Sequence, residues 1–177
     1  MSGSLIIYSS TDGHTKTICE RIQSSSYNIN SIKIISIDNV EEENLTSYSK
    51  IILGASIRYG RHNKKVFNFI EKYKEILKSK KTAFFSVNVV ARKNDKNTPE
   101  TNPYIIKFLK KINWKPDKLA VFAGKIDYPK YRFLDKHIIR FIMFLTNGPT
   151  DLTQTYEFTN WDIVDKFSKE ISYNNDF

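Results

Sequence analysis

Leu5-Ile6-Ile7-Tyr8-Ser9-Ser10-Thr11-Asp12-Gly13-His14-Thr15 joins an apolar, β-favouring run to a hydroxyl-rich turn and then to a helical pattern. In an open α/β sheet this succession builds an anion site at the carboxyl end of the first strand. Amides of the turn and of the first helical turn point outward without intrahelical partners, and the helix dipole adds partial positive charge. The stretch has one glycine and no Gly-Lys-Ser/Thr, which disfavours both a dinucleotide fingerprint and a P-loop for nucleoside triphosphates. The hydroxyls of Ser10, Thr11 and Thr15 suit a phosphate monoester instead. A plainer reading stands beside this one, in which Thr15 or Asp12 caps the helix and Gly13 only relieves a turn.

Working outward, residues 15–25 read as a helix with Ile18, Cys19 and Ile22 on one side. Residues 32–37 form a second strand, 38–49 a polar loop with one helical turn, and 50–54 a third strand. The following turn, Gly54-Ala55-Ser56-Ile57-Arg58-Tyr59-Gly60, faces the same crevice as the first loop and is expected to touch ligand. Residues 63–78 make an amphipathic helix on Val66, Phe67, Ile70, Tyr73 and Leu77. Residues 82–87 are strand four and lead into a third turn through Ser86, Val87, Asn88, Val89, Val90, Ala91 and Arg92. A helix over 104–112 and a fifth strand over 118–123 follow. Five strands alternating with helices predict right-handed crossovers and a mainly parallel sheet covered on both faces.

A segment at about 125–155 then departs from the alternation. It contains Tyr128-Pro129-Lys130-Tyr131-Arg132, a helix over 134–145, and Asn147-Gly148-Pro149 to stop it. Residues 125–149 carry a net charge of +3, and the helix is apolar on more than one face. Arg140 interrupts its longest apolar run, which excludes a membrane span. The segment fits an interfacial helix or the flank of a greasy substrate, a reading favoured over packing on the sheet or against a second copy. Residues 156–159 are expected to return to the sheet edge, and 160–171 to form the last helix on Trp161, Val164, Phe167 and Ile171. Residues past Tyr173 are expected to fray.

The 177 residues suit a single domain, 1–177, with a substantial core. Four residues precede the first strand, so no signal peptide is expected and the cytoplasm or its membrane face is the expected location. One cysteine, Cys19, excludes an internal disulfide, and His14, His62 and His137 have no metal-ligand spacing, so no metal is expected. The formal charge of +9 points toward anionic partners. The basic residues are dispersed and no nucleic-acid-binding motif is present, so nucleic acid is not the expected partner.

Five αβ units with a hydroxyl-rich first loop and two further ligand turns resemble the flavodoxin-like fold. That resemblance implies a three-layer sandwich with strand order 2-1-3-4-5 and bound FMN. The turn at 54–60, the run Ser86 to Lys93 followed by Thr98-Pro99-Glu100-Thr101-Asn102, and the Tyr128 to Arg132 stretch together resemble the bacterial quinone-dependent protoporphyrinogen dehydrogenases of that fold. Thr11 departs from the longer polar or basic residue frequent at its position in that family. The resemblance implies six-electron oxidation of protoporphyrinogen IX in haem synthesis, with electrons passed to a membrane quinone. It places the phosphate on Ser10, Thr11, Asp12, Gly13, His14 and Thr15, and the flavin ring between Ser56, Ile57, Arg58, Tyr59 and Gly60 on one side and Ser86 to Arg92 on the other. Arg58 and Arg92 are the candidate cations for substrate propionates or for anionic reduced flavin. It further implies contact of the 128–149 segment with the anionic inner face of the cytoplasmic membrane, and leaves room for a homo-oligomer. The rival readings are a flavodoxin-type electron carrier, which is typically acidic, an FMN-dependent NAD(P)H:quinone reductase, and an FMN-free docking protein.

Overall fold

The computed structural model describes residues 3–27 and 29–173; the expectation for residues past Tyr173 lies outside them. Strands β1 (Ser4–Ser9), β2 (Ile32–Ser36) and β3 (Lys50–Arg58), the last with a two-residue β4 (Arg61–His62) folded back on it, are joined by β5 (Lys81–Asn88) and β6 (Lys118–Ala123). The order is β2-β1-β3-β5-β6, parallel throughout apart from the antiparallel β4. This is the doubly wound order 2-1-3-4-5 that the resemblance implies, with β5 and β6 as the fourth and fifth parallel strands.

The strands read as continuous apolar runs because both faces are buried. Leu5 and Ile7 of β1 point into one core and Ile6 into the other; Ile51 and Leu53 of β3 alternate with Ile52 in the same way, and Phe84 of β5 with Ala83 and Phe85. One face is covered by α1 (His14–Ser24) and α6 (Trp161–Tyr173) through Ile18, Cys19, Ile22, Val164, Phe167 and Ile171. The other is covered by α2 (Glu42–Thr46), α3 (Lys64–Lys78) and α4 (Pro103–Leu109), using Leu45, Val66, Phe69, Ile70, Leu77, Ile105 and Phe108. Asn63 and Asn102 cap α3 and α4 through their side-chain oxygens, and Pro103 opens α4 where its missing N–H costs nothing.

Two departures from the sequence reading bear on the carboxyl edge of the sheet. The third strand does not end at Gly54 but continues to Arg58, and Tyr59-Gly60 alone make the turn into β4, both at positive φ (49° and 75°). Ile57 pairs with His62 and Arg58 with Arg61, so a two-residue hairpin satisfies backbone groups that a ligand turn was expected to leave open. Gly54 therefore sits within the sheet, under the ring of fully buried Phe85. Secondly, residues 155–157 form β8 (Thr155–Glu157), which pairs antiparallel with β7 (Lys125–Asp127) in a separate ribbon rather than with the main sheet. β7 follows β6 after one residue and presents the nearer open edge.

The segment between β7 and β8 has its own small core of Ile126, Tyr128 and Met143, lined by Val89, Ile139, Ile142 and Tyr156. Tyr128 is fully buried and its hydroxyl donates to Pro149 O at 2.8 Å. Helix α5 (Phe133–Leu145) ends with Asn147 in the left-handed region (φ 54°) and Gly148 N–H donating to Met143 O at 2.7 Å, a Schellman closure. Only Met143 of α5 is fully buried, so packing on the sheet does not account for the breadth of its apolar surface. Phe133, Leu134, Phe141, Phe144 and Leu145 are each more than 60% exposed.

A Cβ at Gly54 would lie 2.1 Å from Phe85 Cζ. Gly54→Ala is expected to lower the unfolding free energy by about 1–3 kcal/mol through overpacking, measured by urea denaturation. An unchanged midpoint would show that Phe85 has room to turn.

Candidate functional site

A narrow crevice of about 50 Å³ opens at the carboxyl ends of β1, β3, β5 and β6, above the β1/β3 junction where the direction of strand progression reverses. Crevices outside the carboxyl ends at such a switch point are where open α/β sheets bind ligands. Its floor and walls are Ser10, Thr11, Asp12, His14 and Thr15 of the first loop and the start of α1, Ser56 and Ile57 of β3, Val87 and Asn88 at the end of β5 with Val89 after it, and Gly124 with Lys125 after β6. The Ser56 hydroxyl donates to Ser9 O at 3.4 Å and ties the two central strand ends together.

The first loop is not a capped helix start. Gly13 occupies the N-cap of α1 at φ 85°, and no side chain caps the first-turn amides. Asp12 is engaged elsewhere, accepting from Arg58 at 2.7 Å. The hydroxyl oxygens of Ser10 and Thr15 are buried with no hydrogen-bond partner. The capping alternative thus has neither of its two proposed residues in place.

His14 stands at the mouth of this loop with its tautomer fixed by its neighbours. Thr159 Oγ1 donates its single proton to Ala123 O at 2.8 Å, so at 2.6 Å it must accept from His14 Nε2. Nδ1 is then the unprotonated nitrogen of the neutral ring. Burial lowers the His14 pKa, Glu157 raises it and Lys125 lowers it, with a net downward shift.

The third turn is held from beneath. Asn88 Oδ1 accepts from Ala91 N at 3.0 Å and from Asn102 Nδ2 at 3.1 Å, while Asn102 Oδ1 caps α4. The two asparagines therefore lock the 3₁₀ turn Val89–Arg92 to the start of α4. Ser86 lies below this lock, fully buried, with its hydroxyl against His62 Nε2 at 3.0 Å. Burial pushes the His62 pKa down to about 3, which keeps that imidazole neutral.

Not every expected ligand residue faces the crevice. Gly13, Val90, buried Ala91 and Ser86 do not line it. Arg92 points away: its guanidinium donates to Val89 O and to Thr146 O at the end of α5, bracing the 125–157 segment. Arg58, Tyr59 and Gly60 lie on the hairpin beside it. Arg58 pairs with Asp12 and, at 3.3 Å, with Asp135 of α5, and its guanidinium sits between the rings of Tyr59 and Tyr131 at 5.3 and 4.9 Å. Tyr59 OH also donates to Asp135. Gly124, Lys125 and Thr159 join the site without having been singled out from the sequence. The carboxyl end of the fifth strand was the available signal, masked there by the segment that follows it.

The flavodoxin-domain family model matches residues 5–153. A Leishmania major protein named protoporphyrinogen IX dehydrogenase (quinone) is 41% identical over 170 residues, covering 95% of this chain and 74% of its own length. The Escherichia coli K12 protein of the same name is 38% identical over 170 residues, covering 96% of this chain and 94% of its own. Among solved structures, oxidised flavodoxin 1 from Bacillus cereus superposes with a TM-score of 0.55 at 18% identity, covering 98% of this chain and all of that one. Two-electron reduced Megasphaera elsdenii flavodoxin gives 0.52 at 14% identity, over 68% of this chain and 85% of that one. The structural likeness speaks for the fold and the sequence likeness for the lineage: the chain belongs to the flavodoxin-domain family and, within it, to the quinone-dependent protoporphyrinogen IX dehydrogenases.

Proposed function

We infer that the crevice holds FMN and that the protein oxidises protoporphyrinogen IX to protoporphyrin IX, passing electrons to a quinone. The observation that carries the cofactor reading is the pair of buried, unpartnered hydroxyls on Ser10 and Thr15, next to a helix start without a capping side chain. A buried polar group left unsatisfied costs about 1–3 kcal/mol, and a phosphate monoester satisfies both hydroxyls and the adjacent amides at once. The substrate and acceptor reading rests on relatives of that name at 38–41% identity over nearly the whole chain. FMN bound there supplies two-electron acceptance, and three rounds remove the six electrons that separate porphyrinogen from porphyrin.

The protein's own groups bind and orient. Ser10, Thr11, Thr15 and the first amides of α1 hold phosphate, and His14, when protonated, adds an Nδ1–H donor. Ile57, Val87 and Val89 offer apolar contact to the ring, while Asn88 and Asn102 keep the third turn from moving. Arg58, neutralised by two carboxylates, fixes the hairpin and α5 to the first loop rather than presenting a free charge.

The exposed face of α5, with Phe133, Leu134, Phe141 and Phe144 beside the exposed cations Arg132 and Arg140, supports a resting position on the anionic cytoplasmic face of the inner membrane, where a hydrophobic quinone is within reach. Among the described residues no helix is long and apolar enough to cross a membrane.

Thr15→Val is expected to weaken FMN binding about tenfold or more, read by flavin fluorescence titration of apoprotein; unchanged affinity would remove Thr15 from the phosphate site. Anaerobic FMN-loaded protein mixed with protoporphyrinogen IX should develop porphyrin fluorescence only when a quinone is added. The absence of a quinone-dependent rise would return the electron-carrier reading. Replacing Phe133, Leu134, Phe141 and Phe144 together by Ser should abolish sedimentation with vesicles containing anionic lipid and turnover with a long-chain quinone, while turnover with a water-soluble quinone persists. Retained vesicle binding would overturn the membrane assignment, and loss of a dimer on gel filtration would reassign the face to self-association.

A further inference from the structure

A second cleft of about 470 Å³ adjoins the crevice and shares Thr11 and Ser56 with it. It exists because β3 runs on past the crevice into the Tyr59-Gly60 hairpin, which leaves a hollow between the hairpin, the start of α3 and the segment after α4. Its volume lies within the roughly 300–1,000 Å³ usual for small-molecule sites.

The charge around it is one-sided. Arg61 of β4, Lys64 at the first turn of α3 and Lys111 after α4 line the cleft from three separate elements and are all exposed. None of the three is in a salt bridge among the described residues, and no Asp or Glu lines the cleft. Arg58 also reaches it but is already paired with Asp12 and Asp135. Three unneutralised cations converging on one hollow repel one another and concentrate an anionic ligand. Half-buried Phe67 and Tyr59, which is 46% exposed, add aromatic surface beside the polar Thr11, Ser56, His62 and Asn63. A ligand that answers both features has a broad apolar body and more than one carboxylate on one edge.

We propose that this cleft is the tetrapyrrole site, with Arg61, Lys64 and Lys111 binding the two propionates and Tyr59 and Phe67 against the macrocycle. The Thr11–Ser56 wall common to both hollows sets that macrocycle beside the flavin crevice. The proposal rests on the function inferred above, and it moves propionate recognition from Arg58 and Arg92, both engaged within the fold, to three cations that have no salt-bridge partner among the described residues.

The test uses the full-length FMN-loaded protein and a triple variant, Arg61→Gln with Lys64→Gln and Lys111→Gln. A charge-matched control carries Lys33→Gln, Lys166→Gln and Lys169→Gln, all exposed and outside the cleft. Protoporphyrin IX and its dimethyl ester are titrated against each protein by fluorescence. Wild type and control should prefer the diacid about tenfold or more, and the triple variant should lose that preference. Its KM for protoporphyrinogen IX should rise by a similar factor, while FMN affinity and the rate at which quinone reoxidises dithionite-reduced protein stay unchanged. An undiminished preference for the diacid in the triple variant, or displacement of the porphyrin by NADPH, overturns the assignment. Failure of the wild type to oxidise protoporphyrinogen IX overturns the function on which it rests, and is distinct because it appears before any variant is made.

Discussion

Burial of both faces of the central parallel strands is the constraint on which everything else depends. Ile6, Ile52 and Phe85 fill one core, while Leu5, Leu53 and Phe84 fill the other. A sheet so enclosed has no free face for chemistry, so polar function is confined to its carboxyl edge, where strands give way to turns. The first loop, the Val89–Arg92 turn and the β3–β4 hairpin all emerge there. Rigid packing beneath them is what allows two hydroxyls, on Ser10 and Thr15, to be buried without partners within the protein.

The 125–157 segment adds a third core instead of enlarging the first two. Tyr128 and Met143 anchor it, and Arg92 and Arg58 clamp its helix at opposite ends, through Thr146 and Asp135. The two arginines take part in architecture because each has polar partners on both sides of the join. Such partially desolvated, multiply bonded guanidiniums hold elements in register more than they attract distant ligands. The effect is to fasten a broadly apolar helix next to the carboxyl edge of the sheet while leaving most of its apolar side chains uncovered.

The alternation of apolar strands and amphipathic helices made the fold legible, because period-2 and period-3.6 patterns report burial directly. The first loop was legible as well, since its hydroxyls and single glycine follow straight from a strand. The third strand's true end was not: Gly54 looks like a turn glycine, and only the ring of Phe85 stacked over it explains why glycine stands inside a strand. Arg58 and Arg92 read as ligand cations because their acceptors, Asp135 and Thr146, lie far away in sequence. For the same reason Lys125 and Thr159 went unremarked, while Arg61, Lys64 and Lys111 looked like ordinary surface charge.

The sequence by itself determined the doubly wound architecture, the place of the hydroxyl-rich first loop and the family, because these rest on local periodicity and on motifs whose residues are contiguous. Only the tertiary structure decided which side chains face the crevice, which arginines are already neutralised and where unpaired cations gather. Those properties depend on distances between groups that are remote in the chain, and a hydrogen bond or ion pair is made or lost within about an ångström.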